Sequence, residues 1–184
     1  MLILLGGAPR AGKGMISREL VQKRGIALLS LDVLKMGLHR AVPSMGVDPN
    51  AHSREVGENM WPLVRAMAEN ALEADVDYVF EGDMVLPKQA AELRGLSGAD
   101  VRSCFVGYRD IEPQRKLSDI RRHRGHANDW LNEQSDEEIL AVVQFGIEYS
   151  AYLSEECDRL GLTYVDGSTD FEGTVDAAVT HLMW

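Results

Sequence analysis

Two rhythms of apolar residues run along this chain. Short apolar runs occur in MLILLG (1–6), IALLSLD (26–32), DYVFEGD (77–83), VRSCFVGY (101–108) and LTYVDG (162–167). Runs of this length, bounded by glycine or charge, predict strands, and MLILLG and IALLSLD read as strands buried on both faces of a parallel sheet. Between the runs, apolar positions recur at helical spacing. Met15, Ile16, Leu20 and Val21 mark a helix over 13–24 that Gly25 stops. LKMGLHRAV begins a short second helix. Val56, Met60, Leu63, Val64, Met67, Ala71 and Leu72 mark a longer one over 54–74, in which Pro62 predicts a kink or a break. A short helix is expected near Lys88 to Arg94. Ile139, Val142, Val143, Phe145, Tyr149, Tyr152 and Leu153 mark another that runs to about Leu160.

Polar punctuation supports this division. Residues 41–53, AVPSMGVDPNAHS, hold two prolines and few apolar anchors and read as a loop. Asp110 is the expected N-cap of a helix through Pro113. Ser135 with Glu138, and Thr169 with Glu172, read as capping boxes, the second opening a terminal helix to about His181. No repeat, low-complexity tract or linker interrupts the pattern, so residues 1–184 read as a single domain. Five strands alternating with helices imply a parallel sheet covered on both faces with right-handed crossovers. Sites in such sheets lie beyond the strand C-termini, so the residues that follow each strand carry the chemistry.

Composition narrows the partners. The 184 residues carry a net charge of −10, which repels nucleic acid and anionic membrane as a mean field while leaving room for a local basic site. Cys104 and Cys157 fit neither a disulfide framework nor a zinc site. No apolar run approaches the roughly 18 residues of a spanning helix. The N-terminal run is short and has no basic residues before it, unlike a signal peptide, so a cytoplasmic protein is expected.

After the first run comes GAPRAGKG, residues 7–14. Gly7, Gly12 and Lys13 match GxxxxGK between a strand and a helix, the setting of a Walker A phosphate loop. Gly7, Ala8, Pro9, Arg10, Ala11, Gly12, Lys13, Gly14 and Met15 would surround the position of a polyphosphate, with backbone N–H groups turned inward from all but Pro9. The helix N-terminus adds positive potential, and Lys13 adds a point charge. Gly14 stands where a Ser or Thr hydroxyl usually meets Mg²⁺.

GGAPRAGKG resembles the phosphate loop of adenylate kinase and the nucleoside monophosphate kinases, in which GKG is common and the metal is held largely through water; Met15 stands where those kinases carry Thr. The resemblance extends as an order of elements over most of the chain. It implies a three-layer α/β P-loop NTPase fold, a five-stranded parallel sheet in the order 2-3-1-4-5 with helices on both faces, and a helical lid at about 112–134. LSLDVLK is similar to the segment of P-loop small-molecule kinases (shikimate kinase, gluconate kinase, zeta toxins, chloramphenicol phosphotransferase) in which an Asp contacts the acceptor hydroxyl. The resemblance makes Asp32 a general base or acceptor-orienting group; the alternative is that it caps the next helix. FEGDMVLP resembles the strand ends IIEG and LLDG of that superfamily, which makes Glu81 the acid that holds magnesium-bound water; Asp83, two residues on, points the same way in an extended chain, toward the acceptor or the metal. The segment also resembles EGxxLxP of 2-phosphoglycerate-kinase-like proteins, and it lacks the Arg by which nucleoside monophosphate kinases grip their acceptor.

The cluster RKLSDIRRHRGH, residues 115–126, falls where the resembled kinases carry a lid. Arg115 and Arg122 share one helical face, Arg121 and Arg124 another. As lid residues, Arg115 would meet the nucleotide, and Arg121 and Arg124 the charge on the transferred phosphoryl. The alternative is a solvated helix face paired with Asp119 and Glu112. Arg40 and Arg54 flank the 41–53 loop, within an acceptor-binding region of about 33–60, and are the candidates to hold an anionic acceptor. The expectation is an ATP- and Mg²⁺-dependent phosphotransferase acting on a small hydroxylated or phosphorylated metabolite. A nucleoside monophosphate kinase, a nucleotide-binding switch without acceptor and a nucleic-acid end kinase are the competing readings.

Overall fold

The computed structural model describes residues 1–96, 98, 100–123 and 131–184. Five parallel strands form one sheet: β1 (Leu2–Gly7), β2 (Ala27–Ser30), β3 (Tyr78–Glu81), β4 (Val101–Gly107) and β5 (Thr163–Asp166), in the order β2-β3-β1-β4-β5. Seven helices connect and cover them among the described residues: α1 (Lys13–Arg24), α2 (Leu31–Ala41), α3 (Ser53–Glu73), α4 (Pro87–Arg94), α5 (Pro113–Arg122), α6 (Asp136–Leu160) and α7 (Phe171–Met183). A single turn of tighter helix, Pro43–Met45, lies inside the 41–53 loop. This is the three-layer α/β P-loop fold and strand order that the sequence resemblance implied.

β1 is buried along its whole length because it is the central strand, paired with β3 on one side and β4 on the other. Each of its fully buried Leu and Ile side chains contributes roughly 1.5–3 kcal/mol relative to exposure. Phe80, Val79, Phe105, Val106, Ile16 and Leu20 pack into the same core. Along α3, Val56, Met60, Val64, Ala68 and Ala71 are buried, the spacing expected of one covered face.

Four local expectations need correction. IALLSLD is not buried on both faces: β2 is the edge of the sheet and Ala27 and Leu28 are exposed, since an edge strand has a neighbour on one side alone. Pro62 does not divide α3, which runs for 21 residues; Pro62 lacks the N–H that would meet the Glu58 carbonyl, but the buried apolar face holds the helix together. Glu112, not Asp110, caps α5 by accepting from the Arg115 N–H at 2.7 Å. Asp170, not Thr169, caps α7 by accepting from Gly173 N–H at 2.9 Å. The Ser135–Glu138 capping box at α6 forms as expected.

Candidate active site

The loop between β1 and α1 is shaped by its neighbours. Ala8 N–H donates to the Val106 carbonyl at 2.9 Å, and Ala11 N–H to the Ala8 carbonyl at 3.2 Å, which turns the chain back toward α1. Gly12 has φ 96, in the left-handed region, and a Cβ there would meet the Phe171 ring at 3.1 Å, so conformation and space both require glycine. Arg10 takes φ 61 although it carries a side chain. Two side chains from outside grip the carbonyls at this bend. The Tyr108 hydroxyl donates to Pro9 O at 2.7 Å, and Lys116 Nζ donates to Arg10 O at 3.0 Å.

Lys13 is buried, and its Nζ donates to the carbonyls of Gly7 at 3.2 Å and Ala8 at 3.0 Å, so the ammonium lies against the loop backbone. Gly14 opens onto free space, with nothing within 4 Å of where a Cβ would stand. Met15 is half exposed, and Ser17 is fully buried with no hydrogen-bond partner among the described residues.

Strand register gathers the acids. Glu81 ends β3 opposite Leu5 of β1 and Ser30 of β2. Asp32 lies two residues beyond Ser30 and Asp83 two beyond Glu81, so three carboxylates leave adjacent strands at the end where Lys13 lies. Burial pushes the Glu81 carboxyl above the ordinary glutamate range; Lys13 pulls it back, while Asp32 and Asp83 push it up again. Ser30 takes the N-cap position of α2, whereas Asp32 sits in its first turn and accepts from Lys35 at 2.7 Å. The helix-capping alternative for Asp32 therefore does not describe its position. Asp83 accepts from Ser53 Oγ at 2.7 Å, and its backbone carbonyl accepts from the Tyr149 hydroxyl at 2.6 Å. Its Oδ1 is buried without a hydrogen-bond partner among the described residues, an unmet acceptor at the site.

The carboxylate oxygens suit a hard divalent cation, yet no group of three or more His, Cys, Asp or Glu among the described residues forms a ready metal cage. Glu81 and Asp83 supply the one or two carboxylates that Mg²⁺ takes beside water and phosphate oxygens.

The candidate arginines spread more widely. Arg40 is exposed at the end of α2. Arg54, at the start of α3, lies 4.3 Å above the Tyr152 ring beside a shallow pocket lined by His52, Glu55 and Glu58. Arg115 donates to the Thr169 carbonyl at 3.4 Å, which brings it to the turn between β5 and α7. Arg121 donates through Nε and Nη2 to Asp136 at 2.9 and 2.6 Å and through Nη2 to the Gln134 carbonyl at 2.7 Å, so it lies against the start of α6. Arg124 lies outside the described residues, as do His126 and Trp130.

The family model described as Zeta toxin matches residues 1–97. The chain belongs to the zeta toxin family. The zeta toxin match takes in the phosphate loop, Asp32, Glu81 and Asp83 and ends just past α4, before α5. No curated protein matches the chain. Among solved structures, a shikimate kinase from Bacteroides thetaiotaomicron is similar over 100% of this chain and 96% of its own, at 14% identity and a TM-score of 0.58. A gluconokinase from Sinorhizobium meliloti is similar over 98% of this chain and 90% of its own, at 16% identity and a TM-score of 0.59. At these identities the likeness is one of fold. No helix among the described residues is long and apolar enough to cross a membrane.

Sequence reasoning passed over four residues of this candidate site: Ser53 and Tyr149, which hold Asp83, and Tyr108 and Lys116, which hold the loop. Lys116 stood inside the basic cluster, where nothing in the sequence singles it out from its charged neighbours. Leu117 packs with Ile139 and Val143 on the α6 side, so the position before it turns toward another surface.

Proposed function

We propose that the protein is an ATP-dependent phosphotransferase that moves the γ-phosphoryl of ATP to a hydroxyl or phosphate of a small metabolite. The observation that carries this reading is the convergence on Glu81 of Lys13, Asp32 and Asp83, all of which act on its carboxylate at one end of β2-β3-β1. A polyphosphate-binding loop alone needs no second and third carboxylate. A transferase needs one to hold metal-bound water and another to align the acceptor.

In this reading Lys13 exchanges its loop carbonyls for β- and γ-phosphate oxygens. Mg²⁺, held at Glu81 and completed by water, would supply positive charge against the phosphates. Asp32 accepts the proton of the acceptor hydroxyl late in transfer, because loose phosphoryl transfer gains chiefly from alignment. Asp83, held by Ser53 and Tyr149, offers its buried Oδ1 to a second acceptor hydroxyl. Arg40 and Arg54 draw in an anionic acceptor, Arg115 steadies the nucleotide, and Arg121 and Arg124 meet charge on the phosphoryl group.

The test is transfer from ATP in the presence of Mg²⁺ to a panel of sugars, sugar acids, aminoglycosides, nucleosides, nucleotides and phosphoglycerates, with Lys13→Ala as control. A phosphorylated product made by the wild type, with turnover or ATP affinity reduced at least about tenfold by Lys13→Ala, supports the reading; that factor matches the loss of one charged hydrogen bond. ATP binding with no product from any member of the panel favours a nucleotide-binding switch instead. Transfer to nucleoside monophosphates alone would make it a nucleoside monophosphate kinase.

A further inference from the structure

Arg10 is the strained point of the phosphate loop. Its φ of 61 is a conformation that is unfavourable for a residue with a side chain, and such outliers persist where their surroundings hold them. Here the surroundings are specific. The carbonyl before the bend, Pro9 O, is held by Tyr108, which is 1% exposed, and the carbonyl of Arg10 itself by Lys116, which is 6% exposed. The Lys116 ammonium also lies 4.2 Å from the Tyr108 ring centroid and 5.5 Å from that of Phe171, so one buried cation joins both rings to the loop.

We propose that Lys116 is a positioning residue of the phosphate loop: with Tyr108 it fixes the Pro9 and Arg10 carbonyls and keeps Arg10 in its left-handed conformation, and the charge on Lys116 is required for full nucleotide affinity. The inference rests on the reading of residues 7–14 as an ATP loop and deepens it. Carbonyls held by Tyr108 and Lys116 are kept from facing a bound phosphate, which their negative ends would repel. A charged donor makes the stronger bond to Arg10 O.

The charge is poised to change. Burial lowers the Lys116 pKa to about 8, with Asp119 of its own helix raising it and Arg10 of the loop lowering it. Tyr108 and Phe171 present ring faces, and α6 meets α5 through Leu117, Ile139 and Val143, which are apolar. Nucleotide brings negative charge to the loop and so favours the protonated form. Above about pH 8 in the free protein, binding must then take up a proton.

The experiment is ATP titration calorimetry with the full chain, at about pH 7 and about pH 9, in pairs of buffers that differ in ionisation enthalpy. Wild type should bind at least about threefold more weakly at the higher pH and take up at least about a quarter of a proton there, the values that a charge effect of about fivefold gives for a group with a pKa near 8. Lys116→Met should lose at least about fivefold in affinity at the lower pH and show neither the pH effect nor the uptake, and Lys116→Arg should restore affinity and abolish the pH effect. In an Arg10→Gly background, which needs no clamp, the loss from Lys116→Met should fall below about twofold. Wild type that binds ATP with equal affinity and no proton uptake at the two pH values overturns the proposal, a result that needs no variant to fold. So does Lys116→Met binding as wild type, or a loss that persists undiminished beside Arg10→Gly. Absence of ATP binding by the wild type overturns the loop reading itself.

Discussion

Ser30 and Glu81 stand side by side in register at the ends of β2 and β3. The chain therefore leaves both strands at one level, and Asp32 acts electrostatically on Glu81 although 49 positions separate them in the sequence.

The first prediction follows from the raised pKa of Glu81. Between the ordinary glutamate range and that raised value, the folded chain keeps a proton that the unfolded chain has released. The Glu81 contribution to stability is thus complete below the unfolded pKa and is lost as pH rises through the folded one. Glu81→Gln, which cannot ionise, should equal wild type in urea denaturation at about pH 4 and exceed it at about pH 8. Its magnesium-dependent turnover should fall. A variant less stable than wild type at the higher pH would mean that the carboxylate is held by partners that favour its charge.

Asp32→Asn separates chemistry from surface charge. The pair with Lys35 at 2.7 Å joins residues three apart, with Asp32 exposed and Lys35 partly covered, a geometry worth about 0–1 kcal/mol, so the melting temperature should hardly move. If Asp32 orients the acceptor or accepts its proton, turnover should drop on the order of 10² to 10⁴ with ATP affinity near wild type. Transfer at the wild-type rate would shift that role to Asp83.

What the sequence made legible is what neighbours in sequence decide. The phosphate loop is contiguous, and its glycines, Lys13 and flanking strand and helix are all local signals. β1 was legible because a central strand is apolar throughout. β2 carries a similar apolar run but lies at the edge, and nothing local distinguishes the two. The caps of α5 and α7 were misplaced by one or two residues because Asp110 and Glu112, and Thr169 and Asp170, are all competent acceptors, and the path of the preceding chain chooses between them. The clamp on the loop was illegible for a different reason. Tyr108 and Pro9 are 99 positions apart, and Lys116 and Arg10 are 106 apart. Helical spacing separates the faces of RKLSDIRR, but only the packing of Leu117 against α6 decides which face turns to the loop.

Arg121 and Asp136 offer a test of the lid. Their pair is partly exposed, so Arg121→Ala and Asp136→Ala should each change stability by less than about 1 kcal/mol. If Arg121 swings to the phosphoryl group, Arg121→Ala should lower turnover at least about tenfold with little change in ATP affinity, whereas Asp136→Ala, which releases the guanidinium, should not. Equal losses in the two variants would make the pair a brace for the start of α6.

Gly146 couples the core to the loop from a distance. It lies on α6, and a Cβ there would overlap the Tyr108 hydroxyl and come within 2.6 Å of its Cζ. Tyr108 is 1% exposed, so the ring cannot move aside into solvent, and any shift draws its hydroxyl away from Pro9 O. Gly146→Ala should therefore destabilise the fold by about 1–3 kcal/mol, the usual effect of overpacking, although alanine is the better helix former. Tyr108→Phe alone should cost about 1 kcal/mol, the bond to Pro9. Combined with Gly146→Ala it should recover part of the loss, because the atom in closest conflict is gone, and a double-mutant cycle in urea would measure the coupling. The folded fraction of Gly146→Ala should also bind ATP more weakly than wild type, although the substitution touches no residue of the loop. A variant as stable as wild type with unchanged ATP affinity would show that α6 yields to the added methyl and that Tyr108 keeps its hold on Pro9.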